Sequence, residues 1–193
     1  VTRHLVLMAK APVLGRVKTR LAREIGPLAA LRFHRLTAER LIRTLGRDRR
    51  WRLVVATTPG PRFRARLVPQ GEGDLGARMR RLLERFPHGP VVIIGADIPG
   101  VTPAHVEAAF RALAAHDLVF GPASDGGYWL VGAKRRPLPA GLFRNVRWST
   151  EHALADTLAG VPSRFRVARV ATLEDVDDAA ALRRASGAPA GAA

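Results

Sequence analysis

Asp97 closes the most apolar run of the sequence, Val91-Val92-Ile93-Ile94-Gly95-Ala96, and Pro99 stiffens the turn behind it. A carboxylate set directly beyond a buried strand is costly unless it is paired, hydrated or bound to a cation. It suits a hard divalent ion such as Mg²⁺ or Mn²⁺, which takes oxygen ligands and shares them with substrate phosphates. The plainer role is that of a turn former or helix cap. A second concentration of chemistry lies at residues 10–20, where Lys10, Arg16, Lys18 and Arg20 surround Gly15. Arginine offers phosphate oxygens a planar fork and lysine a point charge, so this loop reads either as a phosphate site or as a solvated basic loop. It is not a P-loop, because that motif needs glycine directly before its lysine and this chain has Val17.

Asp125-Gly126-Gly127-Tyr128 is the next candidate. Two glycines let backbone approach a ligand closely and leave Asp125 at a strand end, although Asp-Gly is also the ordinary signal of a hairpin turn. Asp175, Asp177 and Asp178 follow the last apolar run, and helix capping accounts for only one of the three. Gly71, Gly73 and Gly76 spell GxGxxG, but Pro69-Gln70 interrupts the strand such a fingerprint must follow. What remains is a helix start around Gly76 that suits an anion. The six histidines show no zinc-like spacing, and no GxSxG elbow surrounds a serine. Trp148 reads as a core residue beside a helix cap or as a platform for a base.

The elements that must position these residues alternate as strand and helix, which points to a mainly parallel sheet covered on both faces. Strands are expected at His4–Ala9, Arg52–Thr57, Val91–Gly95, Leu118–Phe120, Tyr128–Val131 and Phe165–Val170. A long helix from about Pro27 to Leu45 carries Leu31, Ala38, Leu41, Ile42 and Leu45 on one stripe. Asp74 caps a helix over Leu75–Phe86, and Thr102-Pro103 opens another, with Val106, Phe110 and Leu113 facing inward. Ser149 is expected to start a helix to about Leu158, and Thr172 with Asp175 resembles a capping box for a final one. Residues 1–185 form one domain on this reading, with 186–193 a frayed tail.

The chain has 193 residues and no cysteine, which excludes disulfides, thiolate metal sites and cysteine nucleophiles and fits a cytoplasmic protein. Its apolar runs are too short to cross a bilayer, so no membrane insertion is expected. The formal charge of +16 is almost all arginine, with lysine only at Lys10, Lys18 and Lys134. No aromatic ladder accompanies the arginines, which argues against a specific nucleic-acid partner and leaves a general attraction for small anions.

Taken in order, AKAPVLGRVKTRLA, DLGARM, GADIPGVTP, GPASDGGYWLVG, RWST and DVDD resemble a bacterial family of glycosyltransferase-A-like fold. This is the radical-SAM/selenodomain-associated transferase 1 group of the nucleotide-diphospho-sugar transferase superfamily. More distantly the set is similar to the 2-phospholactate and molybdenum-cofactor guanylyltransferases. The resemblance implies a three-layer α/β/α sandwich with a mainly parallel sheet. It implies a nucleotide held by Lys10, Gly15, Arg16, Lys18, Arg20 and Gly76, and Mg²⁺ or Mn²⁺ at Asp97, joined by Asp177 in the closing acidic motif. Asp125, Gly126, Gly127 and Tyr128 are then expected to meet the rest of the substrate, with Lys18, Asp97 and Asp125 as catalytic residues. The activity implied is glycosyl transfer from a nucleotide-sugar to a small-molecule acceptor. Nucleotidyl transfer with release of pyrophosphate is the alternative, and a homodimer is left open.

Overall fold

Strand β1 (His4–Ala9) sends Leu5, Leu7 and Ala9 to one side and Val6 to the other, and all four are buried. Side chains of a strand alternate between faces, so an unbroken apolar run requires cover on both. The computed structural model describes residues 1–134 and 137–185 and supplies that cover. Helices α1 (Thr19–Ile25) and α2 (Pro27–Gly46) follow β1. The chain then runs through β2 (Arg52–Thr57), β3 (Leu67–Pro69), α3 (Leu75–Arg85), β4 (Val91–Gly95), α4 (Pro103–Ala115), β5 (Leu118–Pro122) and β6 (Tyr128–Ala133). It closes with α5 (Ala153–Ala159), β7 (Val167–Arg169) and α6 (Ala179–Ala185). Residues 186–193, read above as a tail, lie outside the described residues.

The strands form one sheet in the order β3-β2-β1-β4-β6-β5-β7. All neighbours are parallel except β6, which runs antiparallel to both β4 and β5. One face packs Leu5, Leu7, Val92 and Ile94 against Ala38, Leu41 and Leu45 of α2 and Val106, Phe110 and Leu113 of α4. The other packs Val6, Ile93, Phe120 and Val131 against Met79, Leu82 and Leu83 of α3, with Leu154 and Leu158 alongside. This is the α/β/α sandwich expected from the sequence. Among the described residues no helix is long and apolar enough to cross a membrane.

Caps at Asp74 and Thr102 form as expected: Asp74 accepts from Ala77 N at 2.8 Å, and Thr102 closes a reciprocal box with His105 behind Pro103. Several elements differ: β3 is not among the strands expected, and the last strand is Val167–Arg169 rather than Phe165–Val170. Residues 19–25, expected as loop, are α1, whose Leu21 and Ile25 sit one turn apart; Gly26, at φ 86°, separates it from α2. Ser149 does not open α5. It lies at φ 62° in a turn, and the helix begins at Ala153. Thr172 and Asp175 do not cap α6. That helix starts at Ala179, with Asp178 accepting from Ala181 N at 2.7 Å, and Leu173 pairs with Ala123 instead. Extending the sheet satisfies backbone groups that a capping box there would have left unpaired.

Candidate functional site

Because β6 is antiparallel, its first residue lies at the same sheet edge as the last residues of β1 and β4. Tyr128 and the Asp125 turn therefore meet the cation loop after β1 and the Asp97 turn after β4. The chain beyond β7 is pinned to the same edge: Leu173 N donates to Pro122 O at 3.1 Å, Ser124 N to Leu173 O at 3.2 Å, and Val176 N to Asp97 O at 3.2 Å. These bonds carry Asp175 and Asp177 beside Asp97. The carboxyl edge of a parallel sheet is where open α/β proteins bind ligands.

The resulting cavity holds about 530 Å³, within the range of small-molecule sites. Of the residues singled out in the sequence, Lys10, Lys18, Arg20, Asp97, Asp125, Gly127, Tyr128 and Asp177 line it. Gly15, Arg16, Gly76 and Gly126 do not. Arg16 is exposed on the loop beside Gly15, and Gly76 faces a second surface hollow with Arg80 and Asn145. A Cβ on Gly76 would stand 2.8 Å from Trp148 Cζ2 and 2.7 Å from Phe143 Cβ, so this glycine packs α3 against the chain before α5. Gly126, at φ 85°, lies against the backbone of Glu151, where a Cβ would come 2.1 Å from its carbonyl oxygen.

Lys18 is the centre of the arrangement. Its ammonium is 2.6 Å from Asp177 Oδ1 and 3.3 Å from Asp97 Oδ1, and its side chain is only 4% exposed. The backbone is left-handed there, φ 48° and ψ 48°, which aims the side chain inward at the start of α1. The cationic loop and the acidic residues thus share one cleft and meet through this lysine. Lys10 and Arg20, both exposed, have no ion-pair partner among the described residues. Arg78 of α3 also lines the cavity; its Nε donates to Gly73 O at 2.9 Å and it has no carboxylate partner among the described residues.

Asp97 is half exposed, its open side facing the cavity. Burial pushes its carboxyl up, but the neighbouring His34 ring and Lys18 ammonium outweigh burial and hold it below the ordinary carboxylate range. Asp175 is pushed up to about 6 by its own burial and then by the charges of Asp177 and Asp125. The Tyr128 phenol, buried and bonded to Thr157 Oγ1 at 3.3 Å, is held above its ordinary range by burial. Trp148 packs edge-on to Tyr128 and tilted against Phe143 while lining the cavity.

Two residues that spacing does not single out complete the site. Gln70, buried just after β3, donates from Nε2 to Ala56 O at 2.9 Å and Ala9 O at 3.2 Å, fixing the strand ends from which the loops depart. His34 continues the apolar stripe of α2, one turn from Leu31 and Ala38; a titratable residue on such a stripe was the available signal. Its Nε2 donates to Lys10 O at 2.9 Å, while its buried Nδ1 has no hydrogen-bond partner among the described residues and lies 3.8 Å from Asp97 Oδ1. Among the described residues no three His, Asp or Glu side chains converge to hold an ion alone. A divalent cation shared with substrate oxygens nevertheless fits Asp97 and Asp177. Both carboxylates already hold a cation, the Lys18 ammonium, and His34 Nδ1 lies 3.8 Å from Asp97 Oδ1.

Residues 41–150, more than half of the chain, match the family described as "Uncharacterized protein conserved in bacteria (DUF2064)". The chain belongs to that family. A comparison of this DUF2064 member with curated proteins finds no match. Among solved structures it is similar to a protein from Desulfovibrio desulfuricans G20 classed as a nucleotide-diphospho-sugar transferase, with 25% identity and a TM-score of 0.81 over 92% of this chain and 84% of that one. It also shares the fold of 4-diphosphocytidyl-2C-methyl-D-erythritol synthase from Anaerococcus prevotii DSM 20548, at 10% identity and a TM-score of 0.62 over 96% and 97% of the two chains. Glucosyl-3-phosphoglycerate synthase from Mycobacterium tuberculosis, solved with Mn²⁺, UDP-glucose and phosphoglyceric acid, is similar at 15% identity and a TM-score of 0.56 over 98% and 81%. At the lower identities the likeness is one of fold. One of these neighbours is classed as a nucleotide-diphospho-sugar transferase and another was solved with a nucleotide-sugar, and the DUF2064 chain has their glycosyltransferase-A-like architecture.

Proposed function

We propose that the protein is a metal-dependent transferase of nucleotide-activated substrates, using a nucleotide-sugar as glycosyl donor to a small-molecule acceptor. We read residues 1–185 as one catalytic domain working in the cytoplasm, of the radical-SAM-associated transferase group its motifs resemble. The observation that carries this reading is the Lys18 ammonium shared between Asp97 and Asp177 on the wall of a nucleotide-sized cavity. That arrangement puts a phosphate-seeking cation and two ion-binding carboxylates within one ligand's reach.

In this mechanism Lys10, Arg20 and Lys18 bind diphosphate oxygens, and their preset charge stabilises the negative charge that grows on the leaving group. Asp97 and Asp177 would hold Mg²⁺ or Mn²⁺, which when bound would supply further neutralisation of the diphosphate. Asp125, at the cavity wall, accepts the proton of the acceptor hydroxyl as that oxygen bonds to the sugar carbon. The sugar–phosphate bond breaks, and nucleoside diphosphate departs with the electron pair. Tyr128, Gly127 and Trp148 wall this end and hold the sugar against water.

A nucleotidyl transfer, with attack at the α-phosphate and loss of pyrophosphate, is the second reading. The cations Lys10, Arg20 and Arg78, which have no carboxylate partner among the described residues, favour it, because they exceed what a diphosphate alone requires. A thermal-shift panel of nucleotide-sugars and nucleoside triphosphates, with and without Mg²⁺ or Mn²⁺, tests both. One ligand class should raise the melting temperature in a metal-dependent way, as mass action demands. Released nucleoside diphosphate then marks glycosyl transfer and released pyrophosphate the alternative. Retention of the full metal-dependent shift by Asp97→Asn would exclude the proposed ion site.

A further inference from the structure

We propose that Gln70 and Arg78 select the base of the nucleotide, together admitting guanine or cytosine and rejecting adenine and uracil. The inference rests on the nucleotide-activated reading above and adds a base specificity to it. The sheet order β3-β2-β1-β4-β6 sets Gln70, just after β3, on the opposite side of the β1 cation loop from Asp97 and Asp125. A nucleotide-sugar is linear, with its diphosphate between the base and the sugar. Phosphates at Lys10, Lys18 and Arg20, with the sugar at Asp125, leave the Gln70 end for the base. That end is walled by Leu75 and Met79 of α3, and Leu75 keeps 38% of its surface exposed while lining the cavity. An exposed apolar side chain at a cavity wall suits the face of a base.

The polar groups at this end stand in a fixed order. Gln70 is 4% exposed, and its Nε2 donates to Ala56 O and Ala9 O, so the amide cannot turn over without setting its oxygen against two carbonyls. Oε1 is therefore an acceptor held in place. Its one partner among the described residues is Arg78 Nη1 at 3.5 Å, longer than an ordinary bond, and a carbonyl oxygen has two lone pairs to offer. Arg78 is held in turn: its Nε donates to Gly73 O at 2.9 Å, which leaves Nη2 without a partner among the described residues. The wall thus presents the donors of one guanidinium beside a single acceptor. A base answers that order with two adjacent acceptors followed by a donor. Guanine has them in N7, O6 and N1–H, and cytosine in O2, N3 and N4–H. Adenine and uracil alternate acceptor and donor, so each sets an N–H against the guanidinium. A fork on two adjacent acceptors is the contact by which arginine most often singles out guanine. On this reading Arg78 serves the base rather than a further phosphate, and Lys10, Lys18 and Arg20 serve the phosphates.

The test is calorimetric titration of GDP, CDP, ADP, UDP and inorganic pyrophosphate, each with Mg²⁺, into the wild type and Arg78→Lys, both first checked for folding. Lysine keeps the charge and loses the fork. The wild type should bind GDP or CDP roughly 10- to 100-fold more tightly than ADP or UDP, and the comparison of GDP with CDP decides which base the site takes. Arg78→Lys should lose most of that ratio while its affinity for pyrophosphate stays as it was. The ligand offers a check that needs no variant: 7-deaza-GDP or 3-deaza-CDP lacks one acceptor of the pair and should bind about 10-fold less tightly than its parent. Equal affinity for all the nucleotides, a preference for ADP or UDP, or an undiminished preference in Arg78→Lys overturns the base assignment and leaves the nucleotide reading standing. A loss of pyrophosphate affinity in Arg78→Lys as large as the loss for GDP or CDP assigns the residue to phosphate and overturns the proposal equally. Absence of binding by every nucleotide at millimolar concentration overturns both readings.

Discussion

Lys18 combines a backbone cost with a side-chain gain. Its left-handed conformation is unfavourable for a residue with a Cβ by about 1–2 kcal/mol, while its ammonium neutralises Asp97 and Asp177. Those carboxylates are 50% and 46% exposed, so water weakens the pairs and their contribution is about 1 kcal/mol rather than that of a buried bridge. Lys18→Ala loses the charge and keeps the strained backbone; Lys18→Gly loses the charge and relieves it. Chemical denaturation should therefore find Lys18→Gly the more stable of the two by about 1 kcal/mol, and both should lose the nucleotide-induced thermal shift. Asp175 behaves differently. With its carboxyl pushed up to about 6 from 3.8, the folded chain holds more protons than the unfolded one between those values. Its contribution is present below about pH 4 and is lost as pH rises through about 6. In metal-free buffer Asp175→Asn should remove that decline, visible as a flatter melting-temperature profile from about pH 4 to pH 8.

At the scale of elements, residues 137–152 before α5 are held by packing that small residues permit. Phe143, Asn145 and Ser149 all have left-handed backbones, at φ 70°, 54° and 62°. Such strain persists only when surrounding structure over-determines it. Arg147 clamps Asp156 through Nε and Nη2, at 2.9 and 2.8 Å, and Trp148 lies on Gly76 of α3. Gly76→Ala drives a methyl into Trp148 and Phe143 and should cost about 1–3 kcal/mol in denaturant titrations. It should also blue-shift or broaden the Trp148 emission as the cavity wall moves. The Asp156 carboxyl is held well below the ordinary range by hydrogen bonds from Arg147. The stability this adds is present above the unfolded value of 3.8 and fades as pH falls below it. Asp156→Asn should therefore lower the melting temperature at neutral pH, with the difference closing in acid.

The whole molecule carries +16, and its few carboxylates are concentrated in the cleft and in scattered surface pairs. Self-repulsion of this size opposes the compact state and is screened once the Debye length falls to about 8 Å near physiological salt. The melting temperature should rise with NaCl and level off above roughly 0.3 M, while affinity for polyphosphate ligands falls over the same interval. A melting temperature indifferent to salt would mean that the arginines are too dispersed to repel one another.

Much of this was legible in one dimension. The double-sided burial of β1 and β4, the caps at Asp74 and Thr102, and the carboxylate directly beyond β4 follow from local rules, because strand periodicity and orphaned helix amides act within a few residues. The sequence by itself determined an α/β sandwich with cations after the first strand and acids after later ones. It did not disclose α1, whose seven residues are too few to reveal a stable period alone and gain their stability by packing on α2 and α6. Nor did it disclose that Lys18 pairs with Asp97 and Asp177, or that His34 Nδ1 faces Asp97. Those meetings span chain separations that only the sheet order closes: antiparallel β6 turns the Asp125 loop to the shared edge, and the pairing of Leu173 with Ala123 brings the last acids home. Coulomb energy and hydrogen bonding depend on distance through space, and folding alone sets that distance.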